Sequence, residues 1–324
     1  MMIKIVYITE NAEKLAKDVK SVFDYYFYDN EVFNIKDFEI TGNETGFVFI
    51  MASGIVLRKY IPEIQNDKLK DPFVILMDES KKYVVSLLSN HIGGGNYFSD
   101  LIGNSLNLNV VKTTATDVNG KIGIDELSKS YFLENPSRKD IISINKKILS
   151  EKPDLTLPKA WKASKKLLNS YNVSFHDEFH VLVDDIVLKP KTVSLGLGSR
   201  RNIEKSKVYW AVKKALYLRD IPAWRIDAFS TVSVKKDEYG ILKTAERFDK
   251  NLFIFGIDEI NEIYLKYPLK KSEFVFKTIG TYGVCEPCAI LGILKITGKK
   301  DFDMKNLVLN KMKKDGVSVS IALQ

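Results

Sequence analysis

Two periods of hydrophobicity alternate along this chain. Residues 3–8 form a continuous apolar run of strand length. Residues 12–23 then place Leu15, Val19 and Val22 three and four apart with lysines between them, the spacing of an amphipathic helix. Residues 46–51 are unbroken and apolar, as in a strand covered on both faces. That run ends at Ala52-Ser53-Gly54, where Ser53 is placed to cap a helix carrying Arg58 about one turn inside. Asp71-Pro72 stops any helix before a strand at 73–77, residues 78–82 read as a turn, and an apolar run at 84–88 leads to three glycines. A strand at 109–111 enters Thr113-Thr114-Ala115-Thr116-Asp117. Three segments thus share one order: apolar strand, small or hydroxyl-bearing loop, helix. In an open parallel sheet such loops fall together on the carboxyl edge, where ligands bind, so a shared pocket is expected there.

Between 136 and 189 the pattern weakens to a lysine-rich helical stretch (159–169) punctuated by Pro153 and Pro158. Within it, His176 and His180 would share a helix face at a metal-binding spacing. Asp177 occupies the place of the glutamate in the HExxH order, and the stretch is read as surface polar residues with no metal. A new unit begins near 192. A strand at 193–198 runs into Ser199-Arg200-Arg201-Asn202 and a helix at 205–218. An extended run at 228–234 is followed by Lys235, Glu238 and a helix at 241–248. Then come a strand at 252–255, a helix at 258–266, an extended segment at 274–276, and a loop at 280–288 feeding a helix at 289–294. The whole predicts an α/β protein. A doubly wound, mostly parallel sheet domain occupies 1–132, a poorly determined segment 133–190, and a second α/β domain 191–324, with the ligand site expected between domains.

Composition narrows the class. At 324 residues the chain exceeds one comfortable core, and 45% hydrophobic with 28% charged residues is ordinary globular composition. No apolar run approaches the roughly 20 residues of a membrane span. No charged-then-apolar leader opens the sequence, so a cytoplasmic place is expected. Two cysteines, Cys285 and Cys288, exclude a disulfide framework and, with Glu286-Pro287 between them, read as packing residues rather than a redox pair. The net charge of 49 − 41 = +8 favours an anionic partner, while the scatter of the lysines argues against nucleic acid.

Candidate chemistry centres on residues 84–96. Strand, glycine loop and helix bring backbone N–H groups towards an anion, and His91, one of three histidines, stands at the edge of that loop. Gly196-x-Gly198 lacks the third glycine of a dinucleotide fingerprint, and no complete P-loop occurs. Arg200 and Arg201 at a helix entrance suit an anion.

Six ordered blocks give this chain its resemblance to the cobalt-precorrin-5A hydrolase family of anaerobic cobalamin biosynthesis. They are residues 49–58 with Asp71-Pro72, 85–96, 113–117, Gly196-Leu197-Gly198-Ser199-Arg200-Arg201, Lys235-x-Asp237-Glu238, and Gly283-Val284-x-Glu286-Pro287. Ser199 stands where the family often has cysteine, so an obligatory thiol there is not expected. The resemblance implies opening of a δ-lactone on a cobalt tetrapyrrole, with release of acetaldehyde. No cofactor is implied, cobalt being carried by the substrate. The implied partners are that anionic tetrapyrrole and other enzymes of the pathway, with neither nucleic acid nor membrane. The alternative is a non-catalytic tetrapyrrole-binding or delivery protein. Lactone attack needs a base, oxyanion donors and an acid. His91 or Glu286 is the expected base, with Asp117 orienting it. The amides of Gly93, Gly94, Gly95 and Asn96 and the hydroxyls of Thr113, Thr114 and Thr116 are the expected donors. Ser53, Arg58, Arg200, Arg201, Lys235 and Glu238 complete the expected substrate contacts.

Overall fold

In the computed structural model, which describes residues 2–324, the first apolar run is β1 (Met2–Tyr7), with Ile3, Ile5 and Val6 buried. It pairs in parallel with β2 (Asn30–Asn34) and with β3 (Glu44–Ile50), and β3 pairs in parallel with β4 (Phe73–Met77). The helix Glu10–Tyr25 carries the chain from β1 to β2. Thr9 starts it by accepting from the Ala12 amide at 3.1 Å, and Leu15, Val19 and Phe23 pack into the core.

The chain then departs from the expected pattern. A parallel crossover takes a dozen or more residues, and 78–82 are too few. β5 (Tyr83–Leu88) therefore runs antiparallel to β4, and β6 (Asn109–Val111) follows β5 in parallel. The order is β2-β1-β3-β4-β5-β6, a mostly parallel sheet with one reversal. The loop after β3 thus emerges at one edge, and the loops after β5 and β6 at the opposite edge. This corrects the expectation of one shared edge. Ser53 and Arg58 are exposed, away from the His91 and Thr114 loops, and Ala52 rather than Ser53 holds the cap position.

Contacts divide the chain into one unit running to Pro190 and another, Lys191–Gln324. The stretch from 133 belongs to the first unit. Its helix Arg138–Ser150 opens with a reciprocal Ser137–Asp140 capping box. A four-stranded sheet of order β10-β9-β7-β8 follows, from β7 (Asp154–Pro158), β8 (Asn172–His176), β9 (Val181–Val183) and β10 (Ile186–Leu188). The helix expected at 159–169 is confined to Lys165–Ser170, because Ser164 caps it by accepting from the Leu167 amide at 3.2 Å. His176 ends a strand and His180 lies in the bend after it, so they share no helix face.

The second unit holds a mixed sheet of order β13-β12-β11-β15-β14. β11 (Val193–Ser199), β12 (Ala228–Val232) and β13 (Asn251–Phe255) are parallel, and β14 (Leu307–Lys314) and β15 (Val317–Leu323) form an antiparallel pair beside β11. The helix Cys285–Thr297 lies on this sheet with Cys288, Ile290 and Ile293 buried. Gly196 and Gly198 lie inside β11, within the strand expected at 193–198. A Cβ on Gly196 would enter the Cys285 carbonyl and stand 2.6 Å from the Ala289 amide nitrogen, so glycine is what lets the helix approach the strand. The extended segment expected at 274–276 is the helix Glu273–Ile279, ended by Gly280 at φ +79°. Among the described residues no helix is long and apolar enough to cross a membrane.

Candidate active site

The reversal at 78–82 gathers the ends of β5 and β6 and the loop before β4 around one open cleft of about 660 Å3. That size lies in the roughly 300–1,000 Å3 range of small-molecule pockets. Its walls include Asp71, Ser89, His91, Thr114 and Thr116, with Arg138 and Lys146 from the helix Arg138–Ser150.

The centre of the cleft is a small polar network. His91 Nε2 lies 3.6 Å from Asp117 Oδ2 and 3.3 Å from Thr114 Oγ1. Thr114 Oγ1 donates to Asp117 Oδ2, and Asn96 Nδ2 donates to the same oxygen at 2.7 Å. A hydroxyl has one proton. With that proton given to Asp117, Thr114 can only accept from His91, so Nε2 carries the imidazole hydrogen and Nδ1 keeps the lone pair. The His91 and Asp117 side chains are only 9% and 7% exposed, which raises the strength of their interaction above that of a surface pair.

The glycine loop builds this network from behind. Gly94 adopts φ +95° before the helix Gly95–Leu106. The amide of Gly93 donates to Ser89 Oγ at 3.0 Å, that of Gly95 to the Ser89 carbonyl at 3.1 Å, and that of Asn96 to the Asn90 carbonyl at 2.8 Å. The expectation that these amides face an oxyanion is corrected: three of them are already committed within the loop. What the loop delivers is the Asn96 side chain, buried against Asp117. Thr113 is exposed and does not line the cleft, whereas Thr116 is buried and does.

Cations missed in the sequence complete the cleft: Lys68, Arg138 and Lys146, none of which is in a salt bridge among the described residues. Asp71 organises the loop that carries Lys68, accepting from the amides of Asn66 and Asp67 at 2.8 and 2.7 Å. Asn145 holds the helix Arg138–Ser150 to the helix Ile124–Ser130, donating to Asp125 Oδ1 at 3.0 Å and accepting from the Ile124 amide at 2.9 Å. No signal in the sequence separates these lysines from those on solvated faces.

The remaining expected residues lie in the second unit. Arg200 and Arg201 are exposed just beyond β11 and make no salt bridge among the described residues. Lys235 and Glu238 are corrected as substrate contacts. Both are buried, they pair with each other at 3.4 Å, and Glu238 Oε1 accepts from the Ile203 amide at 2.9 Å, so they anchor the loop carrying the arginines. Glu286 is buried in the first turn of the helix Cys285–Thr297. Burial, and behind it the charge of Glu286, push the Tyr264 phenol up. Burial likewise pushes up the free thiols of Cys285 and Cys288, which leaves no thiolate nucleophile there.

Fold and cleft together define a two-unit α/β protein with a histidine–carboxylate network in a cation-lined pocket, an arrangement suited to activating water beside an anionic ligand. Comparison with known proteins makes the class specific. The family model described as cobalamin synthesis G N-terminal matches residues 39–117, and that described as cobalamin synthesis G C-terminus matches residues 193–322. A Methanocaldococcus jannaschii protein named "Probable cobalt-precorrin-5A hydrolase" is 59% identical over 325 residues, covering 100% of this chain and 99% of that one. The cobalt-precorrin-5A hydrolase of Priestia megaterium is 26% identical over 364 residues, covering 98% and 94%. A Sulfolobus solfataricus structure described as that of a "putative cobalamin biosynthesis protein G homolog" shares the fold at a TM-score of 0.61 and 20% identity, covering 99% of this chain and 96% of that one. The chain belongs to the cobalamin synthesis G family.

Proposed function

We infer that this chain is a cobalt-precorrin-5A hydrolase of cobalamin biosynthesis, adding water across the δ-lactone of the cobalt tetrapyrrole and releasing acetaldehyde. The observation that carries this is the full-length likeness to relatives of that name, at 59% identity for one of them. The cleft supplies the chemistry. His91 Nδ1 takes the proton from the attacking water, and Asp117, through the Thr114 hydroxyl, fixes the tautomer and stabilises the imidazolium that forms. Asn96 holds Asp117 in place. Lys68, Arg138 and Lys146 receive peripheral carboxylates of the substrate.

Anaerobic incubation with cobalt-precorrin-5A, following acetaldehyde and the mass of the corrinoid, tests the reading. Acetaldehyde formed in proportion to enzyme supports it. Tight binding without acetaldehyde would place the chain among carriers and remove the catalytic roles. A His91→Ala variant that keeps normal turnover would move the base elsewhere, with Glu286 the next residue to test.

A further inference from the structure

Three metal-ligating side chains outside the cleft converge on one short loop. His176 ends β8, and His180 immediately precedes β9. The ligand atoms of His176, Glu178 and His180 all lie within 4.8 Å of one another. The two residues between them turn to other work. Asp177 pairs with Lys159 at 2.9 Å, and Phe179 meets the Trp161 ring edge-on with centroids 5.9 Å apart. The Lys159 amide also donates to the His176 carbonyl at 2.9 Å. The loop is therefore held at both ends while the three side chains remain together.

Their ligand atoms are close enough that small side-chain movements bring all three onto one cation. His180 Nδ1 lies 3.2 Å from Glu178 Oε2. Two ligands bound at about 2.0–2.2 Å in a tetrahedral shell are separated by about 3.3–3.6 Å, so this pair already has the separation of two donors on one cation. The imidazoles of His176 and His180 stand edge to face, centroids 4.7 Å apart. His176 Nε2 bonds the His180 carbonyl oxygen at 2.8 Å. A carbonyl only accepts, so Nε2 carries the hydrogen and Nδ1 keeps the lone pair. A ring N–H anchored on a backbone carbonyl, leaving the other nitrogen to bind, is how metal-binding histidines are usually oriented.

We propose that His176, Glu178 and His180 form a surface site for a divalent first-row transition cation, with water completing its shell. Two imidazoles and one carboxylate favour zinc, nickel, cobalt or copper over magnesium and calcium, which prefer all-oxygen shells. None of the three residues lines the cleft, so the site is separate from the proposed catalytic network.

Zinc chloride titrated calorimetrically into the tag-free full-length protein tests this. A second cluster, His91 with Asp117 and Glu126, also brings its ligand atoms within 4.8 Å, so His91→Ala is included to separate the two. The expected result is one zinc bound by both wild type and His91→Ala. The His176→Ala/His180→Ala pair should abolish it, with circular dichroism unchanged. Glu178→Gln, at a side chain 74% exposed and so without consequence for folding, should weaken it by at least about tenfold. No binding by the wild type at millimolar zinc, survival of binding in the double variant, or loss only in His91→Ala would each overturn the proposal.

Discussion

His91 and Asp117 meet through a third residue: Nε2 and Oδ2 stand 3.6 Å apart, and the Thr114 hydroxyl lies between them, 3.3 Å from the imidazole and donating to the carboxylate. The bridge fixes which imidazole nitrogen is basic. His91→Ala removes the base and should lower kcat for acetaldehyde release by about 10²–10⁴-fold. Asp117→Asn keeps the shape but replaces an acceptor with an amide that can donate to Thr114, reversing the relay. A loss of similar order is expected, since the wrong tautomer is then favoured. Thr114→Val should cost about tenfold, the worth of about one hydrogen bond, and Thr114→Ser should restore the rate. Equal rates for Thr114→Val and wild type would remove the hydroxyl from the relay.

Gly196 makes a prediction about stability. Its missing side chain is the space into which the Cys285 carbonyl fits, and the surrounding atoms are helix backbone that cannot yield locally. Gly196→Ala should destabilise the protein by about 1–3 kcal/mol, the usual cost of overpacking, or more if the helix must lift. Gly298→Ala is the contrast. It occupies an open position at φ +68° after the same helix, so its cost comes from backbone strain alone, about 1 kcal/mol. Chemical denaturation of the two variants measures the difference.

These residues also show what was legible in the sequence. The strands β1, β3, β4, β5, β11 and β13 could be read because each is a short apolar run, whereas β2, β8 and β14 interleave polar or charged residues and could not. Which edge each loop occupies could not be read, because a five-residue turn at 78–82 reverses β5 and β6 relative to the strands before them. That reversal moved Ser53 and Arg58 away and brought in Lys68, Arg138 and Lys146. Why the expected strand at 193–198 carries Gly196 and Gly198 could not be read, because glycine marks both turns and close approaches. The helix that needs that space comes about ninety residues later, beyond the reach of a local pattern. Lys235 and Glu238 were identified as charged neighbours, but only the fold shows that they satisfy each other.

Glu44 predicts an acid limb of the stability curve. Burial raises its carboxyl, but hydrogen bonds from Lys4 and from the Thr41 amide and hydroxyl outweigh it and hold the group down to about 2, against 4.5 unperturbed. A depressed folded-state value means that the stabilisation is complete above the unfolded value and is lost as pH falls from there towards 2. Its size is about 1–3 kcal/mol. Glu44→Gln should therefore be less stable than wild type at pH 7, with the difference shrinking below pH 4.5 as the wild type loses the same charge. Thermal melts at stepped pH would show this convergence. A constant difference across the range would mean that Glu44 acts through packing alone.

Arg138 and Lys146 lie on one helix, in the stretch between the two family-model matches, yet both face the cleft where His91 stands. If they receive substrate carboxylates, their contribution is the same in the ground state and the transition state, because the carboxylates do not change charge as the lactone opens. Arg138→Gln and Lys146→Gln should then raise KM and leave kcat nearly unchanged. Each charge-assisted hydrogen bond is worth about 1.5–3 kcal/mol, which corresponds to a tenfold or greater rise in KM. Because both side chains reach solvent, added salt should raise the wild-type KM and have less effect on the double variant. Steady-state acetaldehyde release at low and high ionic strength separates these outcomes. A fall in kcat with KM unchanged would instead place one of the two cations on the oxyanion, where charge develops only in the transition state.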